Sequence, residues 1–197
     1  MNETLMITPI QTPQAVSAQT ANFVKHGNIF NGSVNSLTNN HTIFIDNSGV
    51  QQQIELSRTH YNLFVVKDER FIGVKGSFSI IKNRASQYQA FSESEKLKIM
   101  TFPSLFMDIN NEYRKCTDAG QQFYYGIITE VHEQGKSYKI YFQKMTVQPL
   151  FQQQLNNNSI RLGINKNNGH DVLGESVWKI IKLDLRKALF DVGIYYA

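Results

Sequence analysis

The alternation of apolar and polar positions changes character along the chain, and it predicts strands first and helices later. From Asn28 to about Ile81 the period is two. A short strand is expected over Asn28 to Asn35, interrupted at Asn31-Gly32, and another over His41 to Asp46, between the turn residues Asn39-Asn40 and Asn47-Ser48-Gly49. Val50, Gln52, Ile54 and Leu56 then alternate with Gln51, Gln53, Glu55 and Ser57, the pattern of a half-buried strand. Tyr61 to Lys67 makes a further strand, Asp68-Glu69 a turn, and Arg70 to Lys75 a returning strand that continues to Ile81, with Gly73 and Gly76 marking a bulge or bend. Short strands at this spacing predict an antiparallel sheet that curls or closes into a small barrel.

The period then lengthens. Ser92 and Glu95 have the spacing of a capping box, and the helix they open runs through Leu97 and Met100 until Pro103 stops it. Phe106, Ile109 and Tyr113 fall at helical spacing and predict a second short helical piece, with Arg114 to Gln121 as a loop. Phe123 to Val131 and Ser137 to Met145 read as a hairpin about Gln134-Gly135, in which a two-residue loop sets Val131 against Tyr138 and Glu130 against Lys139. That register puts Phe123, Tyr125, Ile127, Val131, Tyr138, Ile140 and Phe142 on the core face. Tyr124, Ile128, Glu130, His132, Lys139, Tyr141 and Gln143 fall on the other. A helix over about 149–162 follows, from Pro149 to Gly163 as its C′ residue, then a polar loop from Asn165 to Gly174 and a strand over Val177 to Leu183. Asp184 caps a last short helix with Leu185, Ala188, Leu189 and Val192 on one face, ended by Gly193.

The expected fold is therefore α+β. A flexible arm (1–22) precedes a β-rich lobe of antiparallel sheet or small barrel (23–90). A helical connector (91–119) leads to an α+β lobe (120–197) built as hairpin, helix, strand and helix.

Composition narrows the class. The 197 residues are 41% hydrophobic and 12% aromatic, too apolar for a disordered chain, while charged residues make up only 18%. Amides replace the missing charge, with 18 Asn and 16 Gln. No apolar run reaches the roughly 18 residues of a membrane span, and no leader pattern opens the chain, so a cytoplasmic protein without a membrane partner is expected. A single cysteine, Cys116, rules out an internal disulfide framework and any multi-cysteine metal site. The net charge of +4 and pI near 9.1 are a mild basic bias, suited to nucleic acid or to an acidic protein surface.

One stretch carries a resemblance. The strings Tyr125-Gly126-Ile127-Ile128-Thr129-Glu130-Val131 and Tyr138-Lys139-Ile140-Tyr141-Phe142-Gln143 lead to Leu155-Asn156, Leu162-Gly163-Ile164, Trp178-Lys179-Ile180-Ile181 and Leu189 through Gly193-Ile194. With Phe102-Pro103-Ser104-Leu105-Phe106 ahead of them, they resemble the C-terminal part of small bacterial and prophage-type proteins of unassigned function. The resemblance covers about 102–194 and rests on core-forming positions. It implies a fold and a phage or mobile-element setting, and no functional residue is carried over.

Most chemistries find no support. There is no phosphate-binding glycine loop and no dinucleotide fingerprint. The five histidines, His26, His41, His60, His132 and His170, have no ligand spacing. Glu130 and His132 lie two apart on a strand and share an ion only if His170 or Asp171 supplies a third ligand. Glu93-x-Glu95-Lys96 sits at a helix start, where the helix dipole accounts for its carboxylates, so a metal-dependent nuclease triplet is missing. Cys116, beside Arg114 and Lys115, lacks a placed base, and Ser77, Ser79 and Ser86 lie outside any nucleophile motif. No catalytic residue and no cofactor is expected.

A binding surface is the remaining reading. Tyr124 and Tyr141 beside Lys139 and Gln143 have the composition of sheet faces that stack bases and hold phosphates, and Lys75, Lys82 and Arg84 extend a basic strip. The expected function is a non-catalytic module contacting nucleic acid or a nucleoprotein. Two alternatives stand beside it: a protein-binding inhibitor or immunity factor, and a metal-dependent phosphodiesterase.

Overall fold

A computed structural model describes residues 33–37, 42–47, 50–67, 71–84, 92–112, 116–146, 150–164 and 171–196. The N-terminal arm, the Asp68-Glu69 turn, most of the polar loop before Asp171, and His26, His41, Ser86, Tyr113, Arg114, Lys115 and His170 lie outside the described residues. The fold is α+β. β1 (Ser33–Leu37), β2 (Thr42–Asn47) and β3 (Val50–Glu55) form an antiparallel meander.

The main sheet has seven strands and draws on both halves of the chain. β4 (Tyr61–Val65) and β5 (Lys75–Ile81) join β6 (Ser104–Met107), β7 (Gln122–Gln134), β8 (Ser137–Lys144) and β10 (Val177–Ile181) in the order β10-β4-β6-β7-β8-β5. β9 (Leu150–Phe151) pairs with the start of β7. Only β4 and β6 run parallel. The loop at Arg114–Gln121 thus connects two strands that are hydrogen-bonded neighbours in one sheet.

The β10, β4 and β6 end of this sheet is buried on both faces, and period two sorts its side chains into two cores. Phe64, Phe106, Trp178 and Ile180 point into one, which α1 (Glu93–Met100) covers with Leu97, Ile99 and Met100 and which also receives Ile54 and Leu56. Tyr61, Leu63, Val65, Leu105, Met107 and Ile181 point into the other, covered by α2 (Gln152–Asn157) with Leu155 and by α3 (Leu185–Asp191) with Leu185, Ala188 and Leu189. Double burial explains why 104–107 is a strand where helical spacing was expected. A wholly buried strand needs no alternation, and Phe106 with Ile109 mimics a helical face by chance.

Asn62 interrupts the apolar run of β4 and is fully buried. Its Nδ2 donates to the Ile99 carbonyl and to Ser104 Oγ, both at 3.1 Å, and its Oδ1 accepts from Trp178 Nε1 at 3.2 Å. One amide thereby joins the end of α1, the start of β6 and the core of β10.

Other expectations shift for local reasons. β5 begins only at Lys75, because Phe71 (φ 46°) and Gly73 (φ 81°) hold the preceding segment in left-handed backbone that no ladder accepts. Phe71 is nevertheless buried, 5.5 Å from both Phe78 and Phe142, so the core holds it in that conformation. The helix expected over 149–162 starts at Gln152, since Leu150 and Phe151 pair with Phe123 and Gln122, and it is regular only to Asn157. The turns beyond it end as expected at Gly163 (φ 67°), where the Ile164 N–H bonds the Ser159 carbonyl and the Gly163 N–H that of Ile160. Gly193 closes α3 in the same way through Leu189 and Phe190.

The hairpin turn lies one residue further on than expected. Gly135 (φ 54°) and Lys136 form the two-residue loop, Gln134 faces Ser137 and Val131 faces Ile140, with glycine at the first central position as a type II′ turn requires. A bulge between Ile128 and Glu130 then inverts the alternation of β7, so Ile128 rather than Ile127 stands opposite Phe142. At Gly126 the two strands come so close that a Cβ would sit 2.2 Å from the Gln143 carbonyl oxygen.

Two substitutions test this frame. Gly126→Ala has no room without moving the β8 backbone and is expected to cost the upper part of the roughly 1–3 kcal/mol typical of overpacking, read as a lowered denaturant midpoint. Ser92 caps α1 as expected, accepting from the Glu95 N–H, while Glu95 Oε2 accepts from the Ser92 N–H at 2.8 Å and the Ser92 hydroxyl at 2.7 Å. Ser92→Ala is expected to destabilise the protein by about 1 kcal/mol. The bonds from Ser92, side chain first and backbone second, hold the Glu95 carboxyl below its ordinary 4.5. A lowered carboxyl stabilises the fold above 4.5 and loses that contribution as pH falls through its folded value. The gap between wild type and Ser92→Ala in urea unfolding should therefore narrow below pH 4.5.

Candidate functional site

Past the bulge the sheet has one covered face. The side chains of Val131, Tyr138, Ile140, Phe142, Phe78 and Ile80 enter the α1 core, and alternation turns their neighbours the other way. Cross-strand register then sets rows across β5, β8 and β7: Lys75 beside Gln143, Ser77 beside Tyr141 beside Glu130, Ser79 beside Lys139 beside His132. Ser77, Ser79, Lys75 and His132 are exposed, while Lys139, Tyr141 and Glu130 are half-buried. The core face is built of large apolar groups and this one of hydroxyls, a ring, cations and one carboxylate.

Tyr141 is the centre of the surface. Lys139 Nζ stands over its ring at 5.4 Å from the centroid, and the His132 imidazole meets it edge-on at 5.4 Å. His132 Nε2 is in turn bonded to Glu130 Oε2 at 2.7 Å, which orients the imidazole and engages the one carboxylate in these rows. Lys139 is in no ion pair among the described residues. A phenol ring flanked by an ammonium and an imidazole offers a stacking plane with donors on its rim.

The seven expected site residues divide. Lys75, Lys139 and Tyr141 share the open face. Gln143 lies on it in register but is only 5% exposed, so its amide is not an open contact. Tyr124 is on the opposite side of the sheet, because the bulge reverses the parity of β7. It packs against the α1 core 6.2 Å from Phe71, with Lys144 Nζ 3.8 Å from its ring centroid, and its hydroxyl donates to Gln122 Oε1. Lys144 also donates to the Phe71 carbonyl at 2.6 Å, and burial lowers its pKa. Lys82 pairs with Glu133, whose carboxyl that contact lowers, and lies 5.5 Å from the Tyr138 ring centroid. Arg84 pairs with Glu175 at 3.1 Å. These two cations follow β5 but point to carboxylates away from the Tyr141 rows.

Glu130 and His132 bond each other, and Asp171, named as a third ligand, accepts from Asn110 Nδ2 and the Leu173 N–H instead. Among the described residues no group of three or more His, Cys, Asp or Glu side chains converges on one point. Cys116 is exposed, and its backbone carbonyl accepts from the Glu112 N–H at 3.3 Å.

Sequence reading missed a buried amide cluster. Asn110 exchanges hydrogen bonds of 3.0 Å with Asn156, and Gln152 Nε2 donates to Asn110 Oδ1 and to the Asp108 carbonyl, tying α2 to the end of β6. Gln152 and Asn156 belong to the high amide content of the composition, so part of that content is interior. No helix of the described residues is long and apolar enough to cross a membrane. Comparison of the chain with protein-family models, with curated proteins and with solved structures finds no match.

The two tyrosines should separate in a stability assay. Tyr124→Ala removes packing from the α1 core and is expected to cost about 1–3 kcal/mol. Tyr141→Ala on the open face is expected to cost under about 1 kcal/mol. Equal losses in thermal melts would place Tyr141 in the interior.

Proposed function

We propose that the protein is a non-catalytic binding module that contacts nucleic acid through the open face of β5, β8 and β7. The carrying observation is Tyr141, with Lys139 over its ring and His132 at its edge on a sheet face that no described element covers. A base stacks on the phenol ring, and Lys139 and Lys75, two rows apart, neutralise backbone phosphates on either side of it. The exposed hydroxyls of Ser77 and Ser79 supply further donors without adding charge. The overall +4 supports weak, salt-sensitive attraction of a polyanion.

Fluorescence anisotropy of labelled single- and double-stranded DNA and RNA, each at two salt concentrations, tests this. Binding should weaken steeply with salt and favour single strands, whose bases are free to stack. Tyr141→Ala should weaken it by roughly tenfold or more, in line with about 1–3 kcal/mol for one stacked base. Lys139→Gln should lower the slope of log affinity against log salt by about one. Flat titrations at low salt, or unchanged binding by Tyr141→Ala, would remove the proposal.

A further inference from the structure

A second cationic feature lies away from the sheet face. The turn joining β3 to β4 closes against the end of α1 around an open cleft of about 460 Å³, with Glu55, Arg58, Thr59, His60, Lys98 and Phe102 in its lining. The turn is tightly built. Ser57 donates its N–H to the Thr101 carbonyl at 2.9 Å, and its Oγ accepts from the N–H groups of Thr59 and His60, each at 3.2 Å. These bonds set the His60 ring flat on buried Phe102, with centroids 5.3 Å apart and planes 17° from parallel. Nδ1 of His60 is bonded to Thr59 Oγ1 at 2.9 Å, which leaves Nε2 as the ring atom without a partner among the described residues.

The charge around this ring is one-sided. Lys98 reaches the cleft from the last turn of α1. Lys182 follows Ile181, which pairs with Tyr61, and so stands near His60 across the β10–β4 ladder, outside the lining of the cleft. Neither lysine is in an ion pair among the described residues. Burial first, then Lys98 and Lys182, lower the His60 pKa. Glu55 is the one carboxylate in the lining, and Arg58 faces it at 3.7 Å with both side chains more than half exposed.

The end of a helix ordinarily repels anions through its carbonyls, but here three of the carbonyls at that end are occupied. Lys98 O accepts from the Thr101 N–H and hydroxyl, Ile99 O from the Phe102 N–H and Asn62, and Thr101 O from Ser57. What the cleft presents is a set of donors: the Lys98 ammonium, the Arg58 guanidinium and an imidazole fixed by the Thr59 hydroxyl, with Lys182 adding positive charge from nearby. Several acceptor oxygens on a compact charge of −1 to −2 complement that set, which is the chemistry of a phosphate group. We propose that this cleft is a phosphate-binding site, separate from the Tyr141 face, in which Lys98 and Arg58 neutralise the group, His60 Nε2 orients it and Lys182 adds to the positive field from outside the lining.

The test follows the His60 ring proton signals by NMR in the full chain at constant pH, assigned with His60→Gln. Inorganic phosphate should produce a saturable shift that sodium chloride at matched ionic strength does not. Lys98→Glu and, separately, Arg58→Gln should each weaken it about tenfold or more, with thermal melts confirming that both variants fold. Tyr141→Ala should leave it unchanged, so loss of the sheet-face reading and loss of this one are distinguishable. Two probes assign the source of the phosphate. Adenosine 5′-monophosphate tests a small ligand, and oligonucleotides carrying a 5′-phosphate or a 5′-hydroxyl test a strand end. Displacement of inorganic phosphate by the first, or by the phosphorylated strand alone, supports the site and names its ligand. A linear, unsaturable response, an equal response to chloride, or insensitivity to both charge variants overturns it.

Discussion

Three elements of this protein meet at one side-chain amide. Asn62 lies in the middle of a strand that is otherwise wholly apolar, and it is fully buried. An unmatched amide there would cost about 1–3 kcal/mol for each group left without a partner. The partners exist only if the end of α1, the start of β6 and Trp178 of β10 arrive together. A slip of β4 by one residue would carry the amide to the opposite core, among Leu105, Leu155 and Leu185, where no such set awaits it. Hydrophobic burial drives the sheet to form, and this amide selects the register in which it forms.

That register governs the rest of the sheet by parity. Where β4 and β6 lie side by side, both faces are covered and every position is buried. Toward β8 and β5 the α2 and α3 layer gives out, and alternate positions become polar. The bulge near Thr129 falls between these regimes. It lets one long strand, β7, serve a doubly covered region at its start and a singly covered one at its end. The same irregularity puts Tyr124 in a core and Tyr141 on a surface.

Much of this organisation was legible in the residues. The capping box at Ser92 and Glu95, the cap at Asp184, the glycine stops at 163 and 193, and the strands about Thr42, Val50, Tyr61 and Trp178 each carry a local signal that tertiary contacts do not override. What was illegible depends on distant partners. Nothing near Leu105 says that β4 and β7 will flank it, so its short apolar run passes for helix. Nothing in Ile127-Ile128-Thr129 announces a bulge, because both isoleucines suit either face. Tyr141, Lys139 and Lys75 were readable as one surface because unbroken alternation carries β8 and β5. Tyr124 was not, since its parity depends on the bulge. The cleft at His60 was invisible for a simpler reason. Arg58, Lys98 and Lys182 are far apart in sequence, and only the β10–β4 ladder and the end of α1 bring them together.

The ladder between β4 and β10 also has a kinetic side. β4 ends at Val65 and leaves the ribosome well before its partner on one edge, which starts at Val177. At about 5–20 residues per second a ribosome takes on the order of ten seconds to cover that interval. Throughout it Tyr61, Leu63, Phe64 and Val65 have no strand on that side, and Asn62 has no indole to receive. A strand that is interior in the finished sheet therefore begins its life as an open sheet edge, the kind of surface that other chains or chaperones capture. What makes the native sheet well determined, an amide satisfied only from three directions, also makes it late.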